Sequence, residues 1–222
     1  MLIVLEGLDG AGKSTQVNML GNFIKSRGLK LKYMHFPRYD ESVYGNLIAK
    51  FLRGDFGTIN EVHPQLVALL YAEDRRVAAP VLRKWLEDGY CVLLDRYVYS
   101  NIAYQCSKIK DAAEADDLRN WIMDLEYVKF GIPRPDINLF LDVPIGFVSE
   151  KLGKTRAGDD RRYLNGQADI HEADMKFQSM VRDVYLRQTA LDPLFVRIEC
   201  SGSDGKMLSP EKIFSGIAAA LK

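Results

Sequence analysis

Residues Gly7 to Thr15 read GLDGAGKST and directly follow the apolar run MLIVLE. They fit G-x-x-x-x-G-K-[ST], with Gly7, Gly12, Lys13 and Ser14 at the required places. Such a loop works only between a buried strand and a helix. Its glycines let successive backbone N–H groups point into one concavity, and the positive end of the following helix adds to that field. The stretch therefore commits the chain to an α/β fold whose sheet opens at one end toward a nucleoside triphosphate, read as ATP. Lys13 would reach the β- and γ-phosphates and Ser14 would sit on Mg²⁺. The loop as a whole, Gly7, Leu8, Asp9, Gly10, Ala11, Gly12, Lys13, Ser14 and Thr15, is the expected ATP contact.

The rest of the chain alternates in the same way. LIVLE is a short buried strand, and a helix is expected from about Gly12 to Arg27, closed by Gly28. LKLKYMHF reads as a second strand stopped by Pro37, and a short helix is expected over Tyr44–Arg53. A long helix runs from Pro64 to Asp88, with Pro80 inside it predicting a kink or a break. YCVLLD is a third strand, and Ser100–Ser107 and Asp116–Glu126 are helical. INLFLDV is the fourth strand, followed by a helix from Pro144. A helix over Glu172–Leu191, the fifth strand FVRIEC and a helix opened by Ser209–Pro210 complete the pattern. Short apolar strands alternating with helices imply a parallel sheet covered on both faces. The 222 residues suit one domain, 1–222. The one compositional shift is the charged stretch at about 151–174, which reads as a lid.

Composition removes several classes of function. Lys+Arg and Asp+Glu are 30 each, so no basic excess marks a general nucleic-acid binder. No apolar stretch approaches the ~18 residues of a membrane span, and Met1 enters a strand without a basic leader; the expectation is a cytoplasmic protein. Cys91, Cys106 and Cys200 are too widely spaced for a disulfide framework or a zinc pattern, so buried thiols are expected. The three histidines are scattered, and no protein-built metal site is expected.

The second substrate must be read elsewhere. No N-K-x-D guanine signature is present. Instead, arginines stand where strands or helices end, as an anionic acceptor demands. Arg38 and Tyr39 follow the second strand; Tyr71 and Arg75 share a helix face. Asp95–Arg96 ends the third strand, at the edge where open α/β sheets bind ligands. Asn101, Tyr104 and Gln105 follow at helical spacing. Each has a bland alternative: a solvated arginine, a core tyrosine, a helix cap. Their placement on one edge of the sheet favours the functional reading.

These residues resemble thymidylate kinases. GLDGAGKST, FPRY, LLYAEDR, DRYVYSNIAYQ and GIPRPDINLFLDV look like that family's motifs in order and spacing, from Met1 to about Tyr185. The resemblance implies the nucleoside monophosphate kinase fold, a five-stranded parallel sheet flanked by helices with a charged lid, in a homodimer. It implies transfer of the γ-phosphoryl group of ATP to dTMP with Mg²⁺. Asp9 would lie near the acceptor's 3′-hydroxyl and the transferring phosphate, as a catalytic residue with Lys13 and Arg96, while Arg38 and Arg96 would hold the acceptor phosphate. Tyr71 would stack on thymine and Arg75 would bond the base's carbonyl edge. Asn101 and Gln105 are candidates for the N3 side of the base or for the phosphate region, and Tyr104 for the wall against a 2′-hydroxyl. Asp95 is a further candidate for Mg²⁺, through a water. Gly10 stands where some members carry an arginine, so cations would come from the lid instead: Lys154, Arg156, Arg161 and Arg162, with Arg156 taken as catalytic. His171 falls where some relatives have a tyrosine. A kinase of dUMP, UMP or CMP, a deoxynucleoside kinase and a nucleotide-sensing module remain as rival readings.

Overall fold

The computed structural model describes residues 1–153, 163–164, 169–172 and 174–221. The strands are β1 (Leu2–Gly7), β2 (Leu31–His35), β3 (Cys91–Asp95), β4 (Ile137–Asp142) and β5 (Phe195–Glu199). The helices are α1 (Lys13–Ser26), α2 (Val43–Leu52), α3 (Pro64–Glu87), α4 (Val98–Cys106), α5 (Ala112–Asp124), α6 (Ile145–Gly153), α7 (Met175–Leu191) and α8 (Pro210–Ala220). The strands form one parallel sheet in the order β2-β3-β1-β4-β5. β1 lies at the centre, with Val4 opposite Leu94 on one side and Asn138 on the other. β1, β3 and nearly all of β4 are buried, as parallel strands covered by helices must be, while the edge strands β2 and β5 are partly exposed. α1 and α8 pack on each other, and α4 is packed among α3, α5 and α7.

The local chemistry explains the boundaries. Gly10 and Gly12 take φ of 77° and 79°, left-handed values that turn the chain from β1 into α1. Gly45 is required for another reason: a Cβ there would lie 1.9 Å from the Arg38 carbonyl oxygen, so the turn after β2 can rest on α2. Ser42 caps α2 by accepting from the Gly45 N–H at 2.8 Å. α5 starts four residues earlier than the hydrophobic pattern suggests. Asp111 is its cap, accepting from Ala113 N and Glu114 N, each at 2.9 Å. A π-helical turn, Leu125–Lys129, extends it. Pro80 does not break α3, which runs through it for 24 residues. Pro80 is exposed, so the carbonyl its missing N–H leaves free can face water.

α3 is joined to the π-helical turn by a buried ion pair. Arg75 Nε and NH2 donate to Glu126 Oε2 and Oε1 at 2.5 and 2.7 Å, and both residues are essentially without solvent exposure. Removing one partner strands the other charge in the interior. Glu126→Ala is expected to lower stability by roughly 3–5 kcal/mol in urea unfolding; a loss below ~1 kcal/mol would show the pair to be solvated.

Candidate active site

The carboxyl ends of β1 and β3 open onto two adjoining pockets. The larger is open to solvent and is lined by Asp9 through Gln16 and by Tyr33, His35, Tyr39, Asp40, Asp95 and Arg96. Phe147, Lys151, Tyr163 and Glu172 line it too, as do Met207, Leu208, Pro210 and Ile213. The smaller lies between Asp9, Pro37, Tyr39, Leu52, Tyr71, Arg96, Ser100, Asn101, Tyr104, Gln105, Tyr163, Asp169 and His171. Asp9, Tyr39, Arg96 and Tyr163 belong to both.

In the larger pocket the loop after β1 has the form that phosphate requires. α1 begins at Lys13 with no side-chain cap, so its first N–H groups face outward. Lys13 folds back on the loop, donating to Leu8 O at 3.0 Å and Gly7 O at 3.4 Å. Burial, with Arg96 next, draws its ammonium down to about 8, against the pull of Asp95, Asp9 and Glu6. Ser14 and Thr15 are exposed to the pocket. Asp95 Oδ1 is buried and has no hydrogen-bond partner among the described residues. Gly7 and Leu8 shape the loop from behind and line neither pocket.

Between the pockets lies a clasp of opposite charges. Arg96 NH2 donates to Asp9 Oδ1 at 2.7 Å, and Tyr104 Oη donates to Asp9 Oδ2 at 2.6 Å. Arg96 NH1 donates to Ser100 Oγ at 3.1 Å. Burial alone would raise the Asp9 carboxyl; Arg96, then Lys13 and the Tyr104 hydrogen bond, overcome it and hold Asp9 well below the usual carboxylate range. Arg96 has φ of 67°, a sparsely populated value for a side-chain-bearing residue, at the turn from β3 into α4.

The smaller pocket carries an ordered set of polar atoms. Asn101 Nδ2 donates to Ala68 O at 3.0 Å and Glu126 Oε1 at 3.1 Å, which leaves Oδ1 as a buried acceptor without a partner among the described residues. Gln105 Oε1 accepts from Lys108 Nζ at 2.8 Å, which leaves Nε2 as a buried donor without a partner among the described residues. His171 Nε2 is likewise unpartnered among the described residues. His171 is 3% exposed, so it is a pocket wall rather than a surface residue. Burial, with Lys108 next, holds its imidazole neutral by pushing its pKa well below the ordinary value.

The structure thus brings Asp9, Tyr39, Tyr71, Arg96, Asn101, Tyr104 and Gln105 to one pocket. Two expected ligands stand elsewhere. Arg38 lines neither pocket: its Nε and NH2 are taken by Asp74 Oδ1 at 3.2 and 3.0 Å, and NH2 also bonds the Asp74 carbonyl. Arg75 is held by Glu126 and also lines neither, because a buried carboxylate within reach is a stronger partner than a pocket surface. Lys154, Arg156, Arg161 and Arg162 lie outside the described residues. Sequence reasoning missed Ser100, Tyr163, Asp169 and the wall Met207–Ile213. Tyr163 stacks on Tyr39 with centroids 3.8 Å apart, and its hydroxyl donates to Asp169 Oδ2 at 2.7 Å. The wall near α8 looks like ordinary core in the sequence, with no local signal.

The family model described as thymidylate kinase matches residues 5–205. A thymidylate kinase of Mycobacterium tuberculosis is 32% identical over 86% of this chain and 86% of its own. A human thymidylate kinase is 29% identical over 96% of this chain and 91% of its own. Among solved structures, thymidylate kinase from Candida albicans superposes with a TM-score of 0.72 at 25% identity, covering 99% of this chain and 90% of that one.

Asp169 gives the pocket a measurable pH signature. Burial, with Asp9 next, pushes its carboxyl up to about 7. The unfolded value is ~4, so between pH ~4 and ~7 the folded protein holds a proton that the unfolded chain has released. Stability from this group falls as pH rises through that window. Asp169→Asn has no such proton to lose. In thermal unfolding its advantage over wild type should grow from pH ~4 to ~7 and level off above; a constant difference would place Asp169 in water.

Proposed function

From the premise that the chain belongs to the thymidylate kinase family, we infer that ATP occupies the larger pocket and dTMP the smaller. The reaction is transfer of the γ-phosphoryl group of ATP to the phosphate of dTMP. The observation that carries the choice of base is the pair of unpartnered atoms in the smaller pocket. Asn101 Oδ1 can accept from the N3–H of a thymine or uracil ring, and Gln105 Nε2 can donate to a neighbouring carbonyl oxygen. Cytosine presents an acceptor and an amino group there instead, and would leave both atoms unsatisfied, which is how a buried polar site rejects a near relative. Tyr71 offers its ring to the base, and Tyr104 stands against a 2′-hydroxyl. Arg75 acts at one remove, fixing Glu126, which in turn fixes Asn101.

Phosphoryl transfer asks the protein to position two phosphates and spread their charge. An incoming phosphate competes with Asp9 for Arg96, and the anionic acceptor needs no general base. Arg38 would supply a second cation only by turning away from Asp74 and from Glu41, whose Oε2 lies 3.8 Å from its NH1. Lys13 swings from its carbonyls to the β- and γ-phosphates. Ser14 Oγ and Asp95 Oδ1 are hard oxygen donors at the loop's mouth and fit Mg²⁺ held largely by phosphates and waters. The ion neutralises phosphate charge when bound. Met207, Leu208, Pro210 and Ile213 form an apolar wall suited to adenine. The segment 151–174, with Arg156 and its neighbouring cations, acts as the lid that excludes water.

The family likeness and the exposed apolar residues Val43, Leu66, Val77 and Val81 on α2 and α3 support a homodimer through that face. Among the described residues no helix is long and apolar enough to cross a membrane, which fits a cytoplasmic enzyme.

ADP formation from ATP–Mg²⁺ should be fastest with dTMP among dTMP, dUMP, UMP, dCMP and thymidine. Equal use of dCMP would overturn the thymine assignment, and turnover of thymidine would overturn the phosphorylated acceptor. Lys13→Ala and Arg96→Ala should each lower kcat at least ~100-fold while circular dichroism shows the fold intact. An active Arg96→Ala variant would remove Arg96 from the reacting phosphates.

A further inference from the structure

We propose that Lys108 is a positioning residue for base selection, fixing the Gln105 amide so that its NH2 end faces the base. The inference rests on the smaller pocket being the dTMP site. A glutamine amide has a donor end and an acceptor end of nearly equal size, and a half-turn of its last torsion exchanges them. Which end faces the ligand decides whether position 105 favours a carbonyl or an amino group. Lys108 removes the ambiguity. Its ammonium can only donate, so the amide must turn Oε1 toward Lys108, and the bond is 2.8 Å long. Nε2 is then left buried at the pocket wall, unpartnered among the described residues.

Lys108 is itself fixed. It lies just beyond α4, three residues after Gln105, and its Nζ sits 4.8 Å from the centroid of the Phe51 ring. It does not line either pocket, so its influence on a ligand passes through Gln105. Burial draws its ammonium down to about 7, with Asp169 offsetting. Assays at pH ~6 keep it mostly charged and donating only.

The test compares wild type, Lys108→Met, Gln105→Ala and the double variant by steady-state kinetics with dTMP and dCMP. Lys108→Met keeps the stem on Phe51 and removes the donor. It should raise KM for dTMP about tenfold while kcat moves less than about threefold, and the dTMP:dCMP ratio of kcat/KM should fall about tenfold. In the Gln105→Ala background the same substitution should change nothing beyond about twofold, because its effect has no amide left to act on. Lys108→Arg, which also only donates, should retain the wild-type ratio. If Lys108→Met does not fold, Lys108→Gln takes its place, since it can accept as well as donate and so frees the amide to turn. Unchanged KM and ratio in Lys108→Met, or additive effects of the two substitutions, overturn the role of Lys108 and leave the dTMP assignment standing. A wild type that prefers dCMP overturns both.

Discussion

Everything at the site is referred to one buried carboxylate. Glu6, near the end of β1, has no solvent exposure. Its Oε1 accepts from the backbone N–H groups of Tyr97 and Ser100 at 2.9 and 3.1 Å, and its Oε2 accepts from the hydroxyls of Ser100 and Tyr185. α4 begins without a side-chain cap of its own, so a strand supplies what a helix start ordinarily takes from its first residue. Burial pushes the Glu6 carboxyl up; the Ser100 hydrogen bond, Arg96, the Tyr97 N–H and Tyr185 pull against that. One residue therefore sets the axis of α4 relative to β1 and α7. The faces of Asn101, Tyr104 and Gln105 follow from that axis, because they share the helix with Ser100.

With α4 fixed, the turn that precedes it can hold an unfavourable conformation. Arg96 keeps its positive φ because its N–H bonds Leu5 O at 2.9 Å and its side chain is held by Asp9 and Ser100. The guanidinium is thereby aimed at the boundary of the two pockets. Its charge lowers the pKa of both neighbours: it favours the ionised form of Asp9 and the neutral form of Lys13. Binding phosphates reverses the second effect, since anions beside Lys13 favour its charged form. Burial and Arg96 draw Lys13 toward its neutral form against Asp95, Asp9 and Glu6, and a phosphate beside it would pull in the same direction as those carboxylates.

The parts of this arrangement visible in the sequence are those made by neighbours in the chain. GLDGAGKST contains its own strand, turn and helix start, and the Asp95–Arg96 pair is placed by the end of one strand. The spacing of Asn101, Tyr104 and Gln105 places all three on one wall. Partners distant in the chain were invisible. Arg75 and Glu126 are 51 residues apart, and Arg38 and Asp74 are 36 apart. An arginine at a helix surface and one satisfied by a carboxylate from another element look alike until both elements are placed. Glu6, inside an apolar strand, carries no signal of its own that four donors converge on it. Pro80 shows the converse: a strong local rule gave way because the lost hydrogen bond lies on an exposed face.

The stretch after α6 shows how charge can hide a second purpose. Its composition suggests only a solvated lid, yet Tyr163, Asp169 and His171 close the smaller pocket. They are held by bonds to the body of the protein. Arg53 NH1 donates to Tyr163 O at 2.6 Å, and Ile170 N donates to Leu52 O at 3.0 Å. Gln178 Nε2 donates to His171 O at 2.9 Å, so α2 and α7 grip the segment from two sides. Because the Tyr39–Tyr163 stack borders both pockets, any displacement of Tyr163 alters the two of them together. That coupling requires no long-range pathway, since a single pair of rings is the shared wall.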